Sequence, residues 1–476
     1  MIRPALLILA ALLAPHNEEL RVRPPAEVGM SAERLEMVDR VINKGRFAGG
    51  FPGAAVIIGR HGAIAYEQAF GTLSYGATST PVSTDESIYD LASLTKVVGT
   101  TTGAMVLFDE GKLKLDDKVS TWVPDFTGGM RNQVTVRMLL SHRGGLPAGR
   151  ELWRKAKSPA MAREMVVTTK LASKPGAGMI YSDLGADILG WVVEAAAGEP
   201  LDTFLAERVF RPLGMRNTGF RPADSLKYRI APTEVTPPRG YPLRGEVHDE
   251  NAYALGGVAG HAGLFGSAAD LAVFAQMMLN RGEYNGVRVV DDSTVRLFTQ
   301  PVGSGRALGW AVAEGQHGSG DYFGPRAFGH TGYTGTSLWM DPDRNMFVVL
   351  LTNRVHAARV RRPSLVIADV RQDLADIAAL AIIDQPFALP YIPDFFRADR
   401  AENWNRPFRS RARRAPRLTA SAVAREAAAQ LAAKKPKATR AAAPAKSASK
   451  PPAIALKPAA KAAPSKPIPT KSVAKR

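Results

Sequence analysis

Apolar positions recur along this chain with two different periods, and the change from one to the other divides it into segments. Leu35, Val38, Val41 and Ile42 fall at helical spacing behind Ser31, which predicts a helix over Ala32–Asn43 capped by that serine. Two β-rich runs follow, Ala54–Arg60 and Ala63–Phe70, and the His61-Gly62 pair between them predicts a tight hairpin turn. A helical pattern over Thr95–Glu110 stops at Gly111. From Arg131 to Ile230 the pattern is mostly helices joined by Gly- and Pro-rich loops, with Ala186–Ala197 the clearest amphipathic stretch. Ser267 is placed to cap a helix over Ala268–Leu279, with Asp270 in the capping-box position. Strand character then returns at Ala307–Ala313, Arg326–Gly329, Thr336–Asp341 and Asn345–Asn353, the last two joined by an Asp341-Pro342-Asp343 turn, before a closing helix over Ser364–Ile383. Strands near both ends with helices between them predict an α+β fold: one antiparallel sheet built from N- and C-terminal parts, covered by helices, with a cleft between the sheet and a mostly helical insert.

Composition bounds this picture. A chain of 476 residues with 45% hydrophobic content buries one large core or two moderate ones. The absence of cysteine removes disulfides, thiolate nucleophiles and cysteine-ligated metal centres. The formal charge of +18 is concentrated at one end: residues 401–476 hold 19 Lys or Arg against Glu402 and Glu426, or +17, which leaves +1 for the first 400 residues. A basic nucleic-acid groove in the globular part is therefore not implied. The expected organisation is an apolar, signal-like segment at residues 1–14, a catalytic domain over 26–390 and a tail over 401–476 too rich in Ala, Lys and Pro to fold. Ala5–Ala14 is short for a membrane span and suits export to the periplasm or cell envelope. The tail suits anionic envelope polymers or lipid head groups, with nucleic acid the weaker candidate if the chain is exported.

Candidate chemistry starts at Ser93-Leu94-Thr95-Lys96. Ser93 stands at the start of the predicted helix, where backbone N–H groups and the helix dipole favour developing negative charge. Lys96, three residues on, projects from the same face. A serine hydroxyl is a poor nucleophile until a neighbouring base removes its proton, and a desolvated lysine can take that proton or support a second base. By itself the motif is better read as a capping serine and a surface lysine.

Two later elements, read with it, change that balance. Tyr181-Ser182-Asp183 follows 88 residues after Ser93, and His330-Thr331-Gly332 follows 149 after Tyr181 on a predicted strand. In this order the three resemble the signature of the serine β-lactamases, penicillin-binding proteins and related esterases. The resemblance runs from Ser31 to Ile383 and includes Leu139–Pro147 and the glycine-rich run from Gly256 through His261 to Leu271. It implies an acyl-enzyme on Ser93, a base role shared between Lys96 and Tyr181, and an oxyanion hole made by the backbone N–H groups of Ser93 and Tyr333. Asp183 would position Lys96 or the substrate, and as a carboxylate it would raise the lysine's pKa and shift the base role toward Tyr181.

His330 occupies a place where relatives that bind a substrate carboxylate commonly carry lysine; a mostly neutral histidine suits ester or amide substrates without a free carboxylate, unless Arg326 or another nearby cation substitutes for the lysine. The substrate classes that remain are a peptidoglycan-like D,D-peptide, a β-lactam and an ester; similarity to the exported low-molecular-mass penicillin-binding group points first to the peptide. His248, Asp249 and His261 cluster in sequence, but their spacing matches no metal signature, and no phosphate-binding loop precedes a strand-to-helix turn, so neither a metal nor a nucleotide cofactor is expected. A reading of another class is a binding protein of this fold that tethers through its tail.

Overall fold

The computed structural model describes residues 19–76, 78–313, 318–356, 364–385, 393 and 396–399. The signal-like segment and the basic tail of the sequence reading lie outside them. Strands are β1 (Arg21–Val22), β2 (Gly53–Arg60), β3 (Ala63–Gly71), β4 (Tyr89–Asp90), β5 (Gly219–Phe220), β6 (Leu264–Gly266), β7 (Glu283–Tyr284), β8 (Val287–Arg288), β9 (Ala311–Val312), β10 (Phe328–Thr331), β11 (Ser337–Asp341) and β12 (Met346–Thr352). Seven of them form the main sheet in the order β1-β3-β2-β12-β11-β10-β9, antiparallel except for the β1–β3 pair. The N- and C-terminal parts meet at β2 and β12, paired from Ala54↔Thr352 to Arg60↔Met346. This is the α+β sheet that the strand pattern predicts.

Both faces of that central pair are covered, which explains why β2 and β12 read as near-continuous apolar runs instead of alternating ones. Ala55, Ile57, Phe347, Val349 and Leu351 face a core that includes helix Ala268–Leu279 and the helical insert. Ala54, Val56, Ile58, Val348 and Leu350 face a second core built on helices Met37–Phe47 and Ser364–Leu380. The β2–β3 hairpin turns at His61 and Gly62, both at positive φ (53° and 81°), as a twisted two-residue turn requires. A bulge at Ile58/Gly59 leaves Ala65 without a partner.

Three elements differ from the sequence expectation. The first helix breaks at Glu36 into Ala32–Leu35, capped by Ser31 Oγ, and Met37–Phe47. The helix expected over Thr95–Glu110 is a 3-10 turn at Ala92–Leu94, a π-helical stretch at Thr95–Thr101 and an α-helix only from Thr102 to Asp109. The wide turn is held from within by Thr102 Oγ1, which donates back to Val97 O at 2.8 Å, and from outside by Thr100 Oγ1, which donates to Gly260 O at 2.7 Å. The strand expected over Ala307–Ala313 shortens to two residues because the chain bends at Gly309 (φ 86°), which lies against Thr101.

Candidate active site

Ser93 is set by the strand that precedes it. Asp90, at the end of β4, is buried; its carboxylate accepts the Ala92 N–H at 2.8 Å and the His248 N–H at 2.6 Å. Burial pushes Asp90 above the usual carboxylate range, against the pull of those two donors and the His248 charge. Ala92 is held at φ 48°, a left-handed conformation that costs a non-glycine residue about 1 kcal/mol and aims the next residue out of the turn. Ser93 is therefore half-exposed while Leu91, Ala92 and Leu94 on either side are buried.

Lys96 lies behind it, almost wholly buried, and its ammonium has three partners: Ser93 Oγ at 3.0 Å, His261 O at 3.0 Å and Asp183 Oδ1 at 2.8 Å. Its Nζ also sits 5.0 Å from the centre of the Tyr181 ring. Burial alone would lower the pKa of this lysine, but Asp183 and Tyr181 outweigh it and hold Lys96 above the ordinary lysine range. Asp183 is pressed upward by burial and pulled down further by Lys96 and His261, so it stays ionised. Asp183 opens helix Asp183–Ala197, whose cap Ser182 accepts the Gly185 N–H at 3.2 Å and donates to Pro147 O at 2.6 Å, which fixes Tyr181 beside Lys96.

The third motif element arrives from the sheet. Thr334 Oγ1 donates to Asp90 O at 2.7 Å and Thr336 Oγ1 to Leu91 O at 3.0 Å, so the turn after β10 is laced to the backbone that carries Ser93. Gly332 permits this approach: a Cβ there would lie 2.4 Å from Leu91 O and 2.1 Å from Thr336 Oγ1. Tyr333 is 51% exposed and its ring stacks on His248 at 5.7 Å. Thr331 O accepts from His330 Nδ1 at 2.8 Å, which leaves His330 Nε2 to accept from Arg306 Nη1 at 3.3 Å. Burial, and then the charges of Arg306 and Lys96, push His330 well below the ordinary histidine range, so it is neutral, as that hydrogen-bond pattern requires.

Several groups here had no local signature. Arg306 is 8% exposed, lies 5.1 Å from the Tyr181 ring centre, and has no carboxylate partner among the described residues. It, and not Arg326, is the cation beside His330; Arg326 pairs with Asp343 on the exposed surface. His142 packs its ring against that of Tyr181, centroids 4.6 Å apart, and accepts the Ser182 N–H at Nδ1, 3.1 Å away; burial, then Arg306 and Lys96, push it down to about 3. His261, whose carbonyl holds Lys96, is clasped between Asp187 at 2.6 Å and Asp249 at 2.9 Å. Burial opposes its charge, but the two carboxylates raise it well above the ordinary range, so both ring nitrogens donate. His248 Nε2 meets Glu234 at 2.9 Å. An open cavity of about 530 Å³, lined by Lys157, Arg221, Glu246 and Tyr253 among others, touches the glycine-rich run at Gly256 and Gly257 but is not lined by Ser93, Lys96, Tyr181 or His330.

Residues 38–372 match the family model described as Beta-lactamase. A protein of Escherichia coli (strain K12) named "Putative D-alanyl-D-alanine carboxypeptidase" is 36% identical over 373 residues, covering 70% of this chain and 85% of that protein. Among solved structures, EstCE1, a hydrolase with promiscuous acyltransferase activity, superposes with a TM-score of 0.57 at 27% identity over 72% of this chain and 98% of its own. A class C beta-lactamase shares the fold, with a TM-score of 0.58 at 17% identity over 71% of this chain and 96% of its own. The chain belongs to the β-lactamase family.

Proposed function

We propose that this protein is a serine hydrolase that cleaves a D-alanyl-D-alanine-like peptide through an acyl-enzyme on Ser93. The observation that carries this reading is the Lys96 ammonium, bonded at once to Ser93 Oγ and Asp183 Oδ1. A lysine kept charged by a carboxylate is a poor base, so Tyr181 relays the proton: its hydroxyl takes the proton of Ser93 as it passes its own to the leaving amine. Ser93 Oγ bonds to the carbonyl carbon, the C–N bond breaks, and water reverses the sequence to free the acid. The N–H groups of Ser93 and Tyr333 hold the oxyanion.

Arg306 favours a substrate with a free carboxylate on its leaving group. Arg306 has no carboxylate partner among the described residues; a buried guanidinium left so is costly, and a ligand carboxylate beside Tyr181 and His330 would offset that cost. The name of the Escherichia coli relative supports the same class. An envelope substrate also agrees with the export reading of Ala5–Ala14, and no helix among the described residues is long and apolar enough to cross a membrane.

The test is D-alanine release from an N-acetylated peptide ending in D-Ala-D-Ala, beside its C-terminal amide and p-nitrophenyl acetate. The acid is expected to be cleaved with at least about tenfold lower KM than the amide, and Arg306→Gln is expected to erase that difference. Ester turnover with no D-alanine released would favour the esterase reading instead.

A further inference from the structure

Tyr333 N–H and Gly332 C=O belong to one peptide unit, so whatever grips the carbonyl also orients the N–H on the other side. Arg371, on helix Ser364–Leu380 behind the sheet, donates from Nη2 to Gly332 O at 2.6 Å and to Thr336 O at 2.8 Å. The turn is closed by Gly332 N–H to Thr336 O at 2.7 Å and Gly335 N–H to Gly332 O at 3.1 Å, so Arg371 joins both ends of the loop that carries Tyr333. Arg354 Nε takes the next carbonyl, Tyr333 O, at 2.9 Å. No carboxylate pairs with Arg371 among the described residues; burial, and then the Arg354 charge, press its pKa downward. Its guanidinium is spent on backbone carbonyls.

We propose that Arg371 is a positioning residue for acyl transfer: bonded to the carbonyl of the Gly332–Tyr333 peptide, it orients and polarises that unit so that the Tyr333 N–H becomes a stronger donor to the oxyanion. This rests on the reading of Ser93 and Tyr333 given above. Physically, the guanidinium, the peptide and the oxyanion form a chain of two charge-assisted hydrogen bonds through one amide. Each bond strengthens the other, and the gain is largest when full negative charge develops on the substrate oxygen. The ground-state carbonyl, which carries little charge, benefits less, so the effect falls on kcat more than on KM. A helix on the far face of the sheet thereby acts on the reacting atoms without touching them.

The test uses the full chain with Arg371→Gln and Arg371→Lys, and compares an oxoester with the matching thionoester, whose sulfur is a poor acceptor for oxyanion-hole donors. In Arg371→Gln, kcat for the oxoester is expected to fall about tenfold with KM nearly unchanged. The oxoester-to-thionoester rate ratio is expected to fall with it. Arg371→Lys, which keeps the charge but not the fork, is expected to recover part of both. A rate loss with an unchanged ratio would mean that Arg371 only supports the fold, and no rate loss would mean that it does not act on the peptide; either overturns the proposal. If Arg371→Gln fails to give a native near-UV spectrum, the same two criteria are applied to Arg371→Lys. Wild-type turnover that survives Ser93→Ala would instead strike at the proposed function.

Discussion

Asp183→Asn separates the two roles open to Lys96, because it removes one charge and keeps the shape. The Lys96 Nζ–Asp183 Oδ1 distance of 2.8 Å gives a Coulomb term of about 6 kcal/mol at an effective dielectric of 20. The Asp183 side chain is 33% exposed, so solvent screens part of this, and about 3 kcal/mol is a fair remainder. At 1.36 kcal/mol per unit, Lys96 should titrate roughly two units lower in the variant. The ammonium is the working form in this account. In the wild type it persists through the whole assay range, because its pKa stands above the ordinary lysine value. In Asp183→Asn its deprotonation should bring the onset of a falling alkaline limb into kcat/KM at the top of the range, read with a p-nitrophenyl ester from about pH 6 to about pH 10.5. Stability shifts with the same sign: the raised Lys96 pKa stabilises the fold below the unfolded lysine value and the gain is lost as pH rises through the folded one, so the variant should lose part of it. A variant faster than wild type near neutral pH, with activity rising as Lys96 deprotonates, would refute the reasoning and make the neutral amine the base.

Two other perturbations test the supports of the site. His142 is pushed down to about 3, so the unfolded chain takes up a proton near pH 6.5 that the folded chain refuses, and stability should fall as pH drops from there toward 3. Urea melts at neutral pH and about 1.5 units below the unfolded value should show a loss of roughly 2 kcal/mol from this group, absent in His142→Gln; parallel losses in both proteins would contradict it. Gly260→Ala would place a Cβ 2.0 Å from Ala186 O and 3.0 Å from Asp187 Cα, both backbone, so the His261 loop must move. Calorimetry should show a destabilisation of about 2–3 kcal/mol, and kcat should fall because the His261 carbonyl that holds Lys96 is displaced.

What could be read from the chain was what local periodicity encodes. β2, β3 and their turn were legible because Val56, Ile57 and Ile58 are β-branched and His61-Gly62 suits positive φ. Ser93, Lys96, Tyr181 and His330 could be singled out because their order and spacing match a known set, and the fold brings Ser93, Asp183 and Tyr181 around the Lys96 ammonium. The π-helical turn was invisible because one of the bonds that hold it joins Thr100 and Gly260, 160 residues apart. Arg306 and Arg371 were missed for a related reason. A lone arginine before a bend, or on an amphipathic helix, has the pattern of a solvated side chain until the sheet delivers His330 and Gly332 to it.

The most direct measurement is peptide mapping of the covalent adduct after brief exposure to a fluorescent penicillin or to p-nitrophenyl acetate, with Ser93→Ala alongside. The account predicts an acyl group on the peptide that carries Ser93, lost in the variant together with turnover; acylation at another residue, or turnover undiminished in Ser93→Ala, would contradict it.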